Sequence, residues 1–193
     1  MRTLLLVAAL SAASPALAGP GHDPGLVTLL SAYHEAPTAE ALMSFRPGLR
    51  PKLEAILDDD ALPRLTRLRA LTALGLEASP EAFARVAAVL ADLQADTRLR
   101  MGAATTLGRY FANFPDVAFH LQAGLSSPEA GLRELCVSAL AEVATPAAFE
   151  ILSRHRVIER HVTVRKALRD ALLLEQGLTP LAPEGRLIPE VRR

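Results

Sequence analysis

Between Pro128 and Val143 the apolar residues are Leu132, Leu135, Cys136, Ala139, Leu140 and Val143. They recur at steps of three and four, the 3.6-residue period of a helix with one apolar stripe. The same pattern returns along the chain behind an arginine, at Arg67, Arg100, Arg133 and Arg165, separated by 33, 33 and 32 residues. Seven residues after each stands Leu74, Leu107, Leu140 or Leu172, and the next position holds Gly75, Gly108, Ala141 and then the larger Leu173. A period of this length belongs to stacked helix pairs. The first unit drifts most, with Arg69 and Glu77 at positions that are apolar in the third. Terminal repeats tolerate this because one side has no neighbour to cover.

A second set of helices lies between the first. Ser79-Pro80-Glu81 and Thr145-Pro146 place a capping hydroxyl before a proline at the first helical position. Phe114-Pro115-Asp116 reads as another start, with the acid in the first turn. Phe83, Phe119 and Phe149 are expected to face inward from these helices. The pattern predicts helices near 25–33, 38–45, 50–58, 62–76, 80–93, 97–111, 115–125, 128–143, 146–157 and 161–175. No segment alternates over strand length between hairpin turns, so no sheet is expected. The expected fold is an all-α solenoid of antiparallel helix pairs, about four to five pairs.

The stretch from Leu99-Arg100 through Ala103-Ala104 to Leu107-Gly108, and that from Leu132-Arg133 to Ala139-Leu140-Ala141, resemble the second helix of HEAT-type repeats. The branch they are most similar to is the short bacterial kind grouped with phycobilisome-lyase repeats. The resemblance covers about residues 50 to 175, most fully in the two central units. It implies a curved stack of helix pairs and a binding scaffold, and it assigns no activity.

Composition adds a compartment. Arg2, the apolar run from Leu4 to Leu10 and the ending Ala16-Leu17-Ala18 have the order of a secretory signal peptide. The run is shorter than the roughly 20 apolar residues of a membrane span. Residues 1–18 are therefore expected to be removed, leaving a HEAT-like domain over 19–175 and a proline-rich tail over 176–193. A periplasmic or secreted protein is the expectation. The 20 basic residues after position 18 face 21 acidic ones, a balance that disfavours nucleic acid as a partner. Nineteen of the 21 basic residues in the whole chain are arginine, which with the abundant alanine fits a bacterial source rich in G and C. Half the residues are hydrophobic and none is tryptophan, so the core is expected to be leucine, alanine and valine.

Candidate chemistry is sparse. Cys136 sits on an apolar stripe with no histidine on its face, and reads as a small core residue. His22, His34, His120, His155 and His161 form no zinc-ligand spacing. Asp58-Asp59-Asp60 lacks the alternation of a calcium loop. No cofactor and no catalytic or metal site are expected. The arginine series invites comparison with an anion-binding ladder, but Asp60, Asp96, Glu129 and Glu159 precede the four arginines at short range. Ion pairs between repeats, a structural role, are the expectation.

The most suggestive stretch runs from Arg154 to Arg169. Arg154, Arg156, Arg160, Arg165, Lys166 and Arg169, with His155 and His161, stand against Glu159 alone. Such a field could attract an acidic protein, a polyanion or anionic lipid headgroups. It also fits a solvated face of the last repeat, and both readings stand on the sequence. His161, Arg165 and Arg169 recur every four residues, opposite Val164, Ala167, Leu168, Ala171 and Leu172, which should face the core. The expected function is a non-enzymatic scaffold of the cell envelope that binds a protein partner on the solenoid surface, with Arg154, Arg156, Arg160, His161, Arg165, Lys166 and Arg169 as candidate contacts. The alternatives are a chromophore-lyase-like enzyme or chaperone, and a small-ligand or lipid carrier.

Overall fold

The computed structural model describes residues 21–32 and 37–177. The expected signal peptide, His34 and the tail beyond Gly177 lie outside the described residues. Within them the chain forms ten helices and no strand. They are α1 (Pro24–Ser31), α2 (Ala39–Met43), α3 (Leu49–Asp58), α4 (Arg64–Glu77), α5 (Pro80–Ala91), α6 (Thr97–Phe111), α7 (Val117–Gly124), α8 (Ala130–Val143), α9 (Pro146–Ile158) and α10 (Val162–Glu175). None is long and apolar enough to cross a membrane.

The helix starts follow from local chemistry. Ser79 accepts a hydrogen bond from the Ala82 N–H, and Thr145 from the Ala148 N–H, each with proline at the first helical position. Asp96 caps α6 by accepting from the N–H groups of Arg98 and Leu99. α7 departs from expectation. It begins at Val117, with Asp116 outside it at a left-handed φ of 62° and no acid in its first turn.

That late start shifts the register. The fourth residue of α5 is Phe83 and of α9 is Phe149, both packed against the core. The fourth residue of α7 is His120, and Phe119 turns outward, 70% exposed. The expectation of an inward Phe119 is therefore corrected. Its place is filled by Phe114, before the helix, with ring centroids 5.3 Å from Phe83 and 5.0 Å from Phe111. His120 meets the edge of Phe83 at 5.3 Å.

Each of α3–α4, α5–α6, α7–α8 and α9–α10 packs as a consecutive pair. The second members also touch in series, α4 on α6, α6 on α8 and α8 on α10, while α5 meets α7 and α7 meets α9. The core lies between these two series and is built mostly of leucine, alanine and valine. Small residues set the distance between second members. A Cβ on Gly75 would lie 2.6 Å from Tyr110 Cδ2, and one on Gly108 would lie 2.7 Å from both the Cα and the Cβ of Ala139. At α4 the preceding neighbours are α1 and α2. There Arg69, polar where the third unit is apolar, donates to the carbonyls of Leu30 and Ala32 at the end of α1.

Two of the helix-interface glycines, Gly108 and Gly131, should respond oppositely to alanine. At Gly108 the added methyl meets α8 backbone, so Gly108→Ala should cost about 1–3 kcal/mol in urea unfolding. At Gly131 it meets only the flexible end of Met101, 3.2 Å away. Gly131→Ala should be neutral or stabilise by up to about 1 kcal/mol. Equal effects at the two sites would contradict the close α6–α8 approach.

Candidate functional site

The four periodic arginines occupy the same place, the fourth residue of α4, α6, α8 and α10. Three of them close the preceding helix or link. Arg67 Nε donates to the Leu57 carbonyl at 2.8 Å, and Arg100 Nε to the Leu90 carbonyl at 3.0 Å. Both acceptors lie in the last turn of the first helix of the pair, where carbonyls lack intrahelical partners. Arg133 Nη1 donates to the carbonyls of Ser127 and Pro128 at 2.8 and 2.9 Å.

Their acidic partners match the expected set only in part. Arg67 pairs with Asp60 at 2.6 Å. Arg100 is buried against backbone, and Asp96 instead pairs with Arg64 at 3.1 Å. Glu159 pairs with Arg133, not with Arg165. The link is the physical reason for the last change. Three residues, Glu159 to His161, join α9 to α10, whereas five join each of the preceding three pairs. A turn that short holds its carboxylate back toward α8.

Glu159 is consumed there. Its carboxylate accepts from Arg133 Nε at 2.8 Å and Nη2 at 3.0 Å, a bidentate pair. His155 Nε2 lies 3.0 Å from Oε2, and the backbone N–H groups of Arg160 and His161 donate to Oε1 at 2.9 and 2.8 Å. The side chain is only 3% exposed. Arg133 above all, with the His161 N–H and His155, holds its pKa down to about 2 against the opposing effect of burial. His155 and Glu159 are four apart and share a helix face, which was legible in the sequence. The Arg133 contact spans 26 residues and left no local signal.

What remains outside is positive. Arg154 pairs with Glu150 along α9. Lys166 reaches Asp170 at 3.5 Å and Arg169 reaches it at 3.2 Å. Arg156, Arg160 and Arg165 are exposed, and none has a carboxylate within ion-pair distance among the described residues. His161 is exposed on the same strip as Arg165 and Arg169, while Val164, Leu168, Ala171 and Leu172 are buried opposite. An open groove of about 860 Å³ is lined by Arg156, Arg160, Arg165, Lys166 and Arg169, with Glu159, Val157 and Val162 also in its wall. Three aliphatic side chains that the helical pattern did not single out border or adjoin it, Val157 at 81%, Ile158 at 70% and Val162 at 75% exposed.

The other candidates sit apart. Burial pushes the Cys136 thiol up to about 12, with Arg100 a lesser opposing influence, so no thiolate forms near neutral pH. Asp58 pairs with Arg85, Asp60 with Arg67, and Asp59 accepts from His22 at 2.8 Å and from the Ala61 N–H. The three acids thus have separate partners. Among the described residues no three His, Cys, Asp or Glu side chains gather as metal ligands.

The Glu159 clamp makes stability depend on acid. Its folded pKa lies near 2, below the free-glutamate value of 4.5. Its contribution, about 3 kcal/mol, is therefore full above pH 4.5 and is lost as pH falls through 2. Glu159→Gln should lower stability at pH 7 and flatten that acid limb in chemical denaturation. An unchanged limb would contradict the clamp.

No model of a known protein family and no curated protein matches the chain.

Proposed function

We propose that the chain is a non-enzymatic docking scaffold of the cell envelope, a HEAT-like solenoid whose cationic C-terminal end binds a negatively charged partner. The observation that carries this reading is the burial of Glu159. The one acidic side chain in the basic stretch is turned inward to Arg133, so the exposed turn presents Arg156, Arg160 and Arg165 without a compensating carboxylate among the described residues. A solvated face needs no such arrangement, since exposed charges of both signs keep a surface soluble. Here the field is left unbalanced on a turn held rigid by five hydrogen bonds to one carboxylate.

The solenoid reading is supported by the 33-residue recurrence of the arginine and its carbonyl acceptor, Arg67 to Leu57 and Arg100 to Leu90. It is supported too by the serial contacts of α4, α6, α8 and α10. Stacked repeats provide binding surface without catalytic groups. The buried, high-pKa Cys136 and the separately paired aspartates favour binding over chemistry. The envelope location rests on the signal-like residues 1–18.

Affinity capture from envelope extract tests the reading. Arg165→Glu with Arg169→Glu should leave the helical circular dichroism intact, because both side chains are exposed. The double variant should lose at least about tenfold in capture, and the loss should be greatest at low salt, where screening is weakest. Equal capture by a normally folded double variant would reduce the strip to a solvated face.

A further inference from the structure

We infer that the α9–α10 turn docks on an anionic phospholipid surface, its aliphatic tip entering the headgroup region while its arginines engage phosphates. The inference rests on the docking reading above and names the partner of that same turn. The sequence from Arg156 to Val162 reads Arg-Val-Ile-Glu-Arg-His-Val. With Glu159 folded inward, its outward residues are two arginines, a histidine and three β-branched aliphatic side chains.

Val157, Ile158 and Val162 are at least 70% exposed and within six residues of one another. Three large aliphatics flanking one tight turn, with cations around them, form an interfacial arrangement: apolar groups that gain by leaving water and charges that stay at the headgroups. Arg165 and Arg169 extend the cationic ring along α10. Guanidinium matches phosphate oxygens in bidentate geometry. The groove of about 860 Å³ between Arg156, Arg160, Arg165 and Arg169 gives headgroups room among them.

An acidic protein segment is the less favoured occupant. A bound helix or strand would use an extended groove or an open sheet edge and bury aliphatics inside it. Here the aliphatics flank a three-residue turn, Val157 and Val162 at the edge of the cationic groove and Ile158 outside its lining, and all three stand exposed. The clamp suits insertion also. Arg133 and Glu159 fix the turn before contact, so docking orders little additional chain.

The chain contains no tryptophan, so Ile158→Trp places a single local reporter on the tip. The probe surfaces are vesicles of phosphatidylcholine alone and of phosphatidylcholine with about one-third phosphatidylglycerol; soluble poly-aspartate is the non-membrane polyanion. The expected result is a blue-shifted emission on the anionic vesicles, quenched by lipids brominated on their acyl chains, with neither change on phosphatidylcholine or poly-aspartate. Arg165→Glu with Arg169→Glu should weaken vesicle binding at least about twentyfold, since each basic residue near an anionic surface contributes roughly fivefold. Replacing Val157, Ile158 and Val162 by serine should weaken it about tenfold without changing its salt dependence.

A reporter that stays unshifted and unquenched on anionic vesicles overturns the membrane inference. In that case envelope-protein capture that is still lost in the double arginine variant leaves the docking reading standing. Capture indifferent to both arginines removes the docking reading as well. Equal insertion into phosphatidylcholine overturns the anionic specificity.

Discussion

The fold is organised by one contact repeated at a fixed place: a guanidinium at the fourth residue of the second helix, donating to carbonyls that end the first helix or form its link. At Arg67 and Arg100 the acceptor lies ten residues back, on Leu57 and Leu90. At Arg133 the shorter α7 moves the acceptors into the link, to Ser127 and Pro128. Each contact satisfies carbonyls that would otherwise lack a partner and fixes the angle at which the next helix leaves. The glycines at Gly75 and Gly108 then let successive second helices approach closely. In the last pair the three-residue link sends Glu159 to Arg133, and Arg165, at the equivalent position, projects to solvent. Shortening a turn by two residues thus converts a structural position into a surface one.

Most of the helical framework was legible because it is local. Apolar spacing in α8, the Ser79 and Thr145 caps and the arginine period all act within a turn or a repeat, and they mark the helices to within a few residues. The miss at Phe119 has a local cause as well. Pro115 resembles the helix-opening prolines at 80 and 146, but Asp116 adopts a left-handed conformation and delays α7 to Val117. The helix thus opens two residues after Pro115, with His120 as its fourth residue against Phe83 and Phe119 outward.

The candidate site was half legible. Its basic residues and their strip along α10 follow from spacing, and they do face solvent. What spacing does not encode is which acid pairs with which arginine. Glu159 is six residues before Arg165, yet its partner is 26 residues back in another helix pair. That choice decides the sign of the surface. A carboxylate facing outward would have offset part of the cationic field; turned inward, it pairs with Arg133 and anchors the turn, and Arg156, Arg160 and Arg165 have no ion-pair partner among the described residues. The exposure of Val157, Ile158 and Val162 follows from the same turn, which puts them at a helix end and beyond the core's reach.

The Arg133–Glu159 pair therefore links stability to surface chemistry, and a double-mutant cycle measures it most directly. Arg133→Met, Glu159→Gln and the double variant would be compared with the original chain by urea unfolding at pH 7. A coupling energy of about 2–3 kcal/mol is the predicted result, near the upper end for residues in one buried network. A coupling within about 0.3 kcal/mol of zero would mean that the two side chains act independently, and would contradict the clamp on which the cationic turn depends.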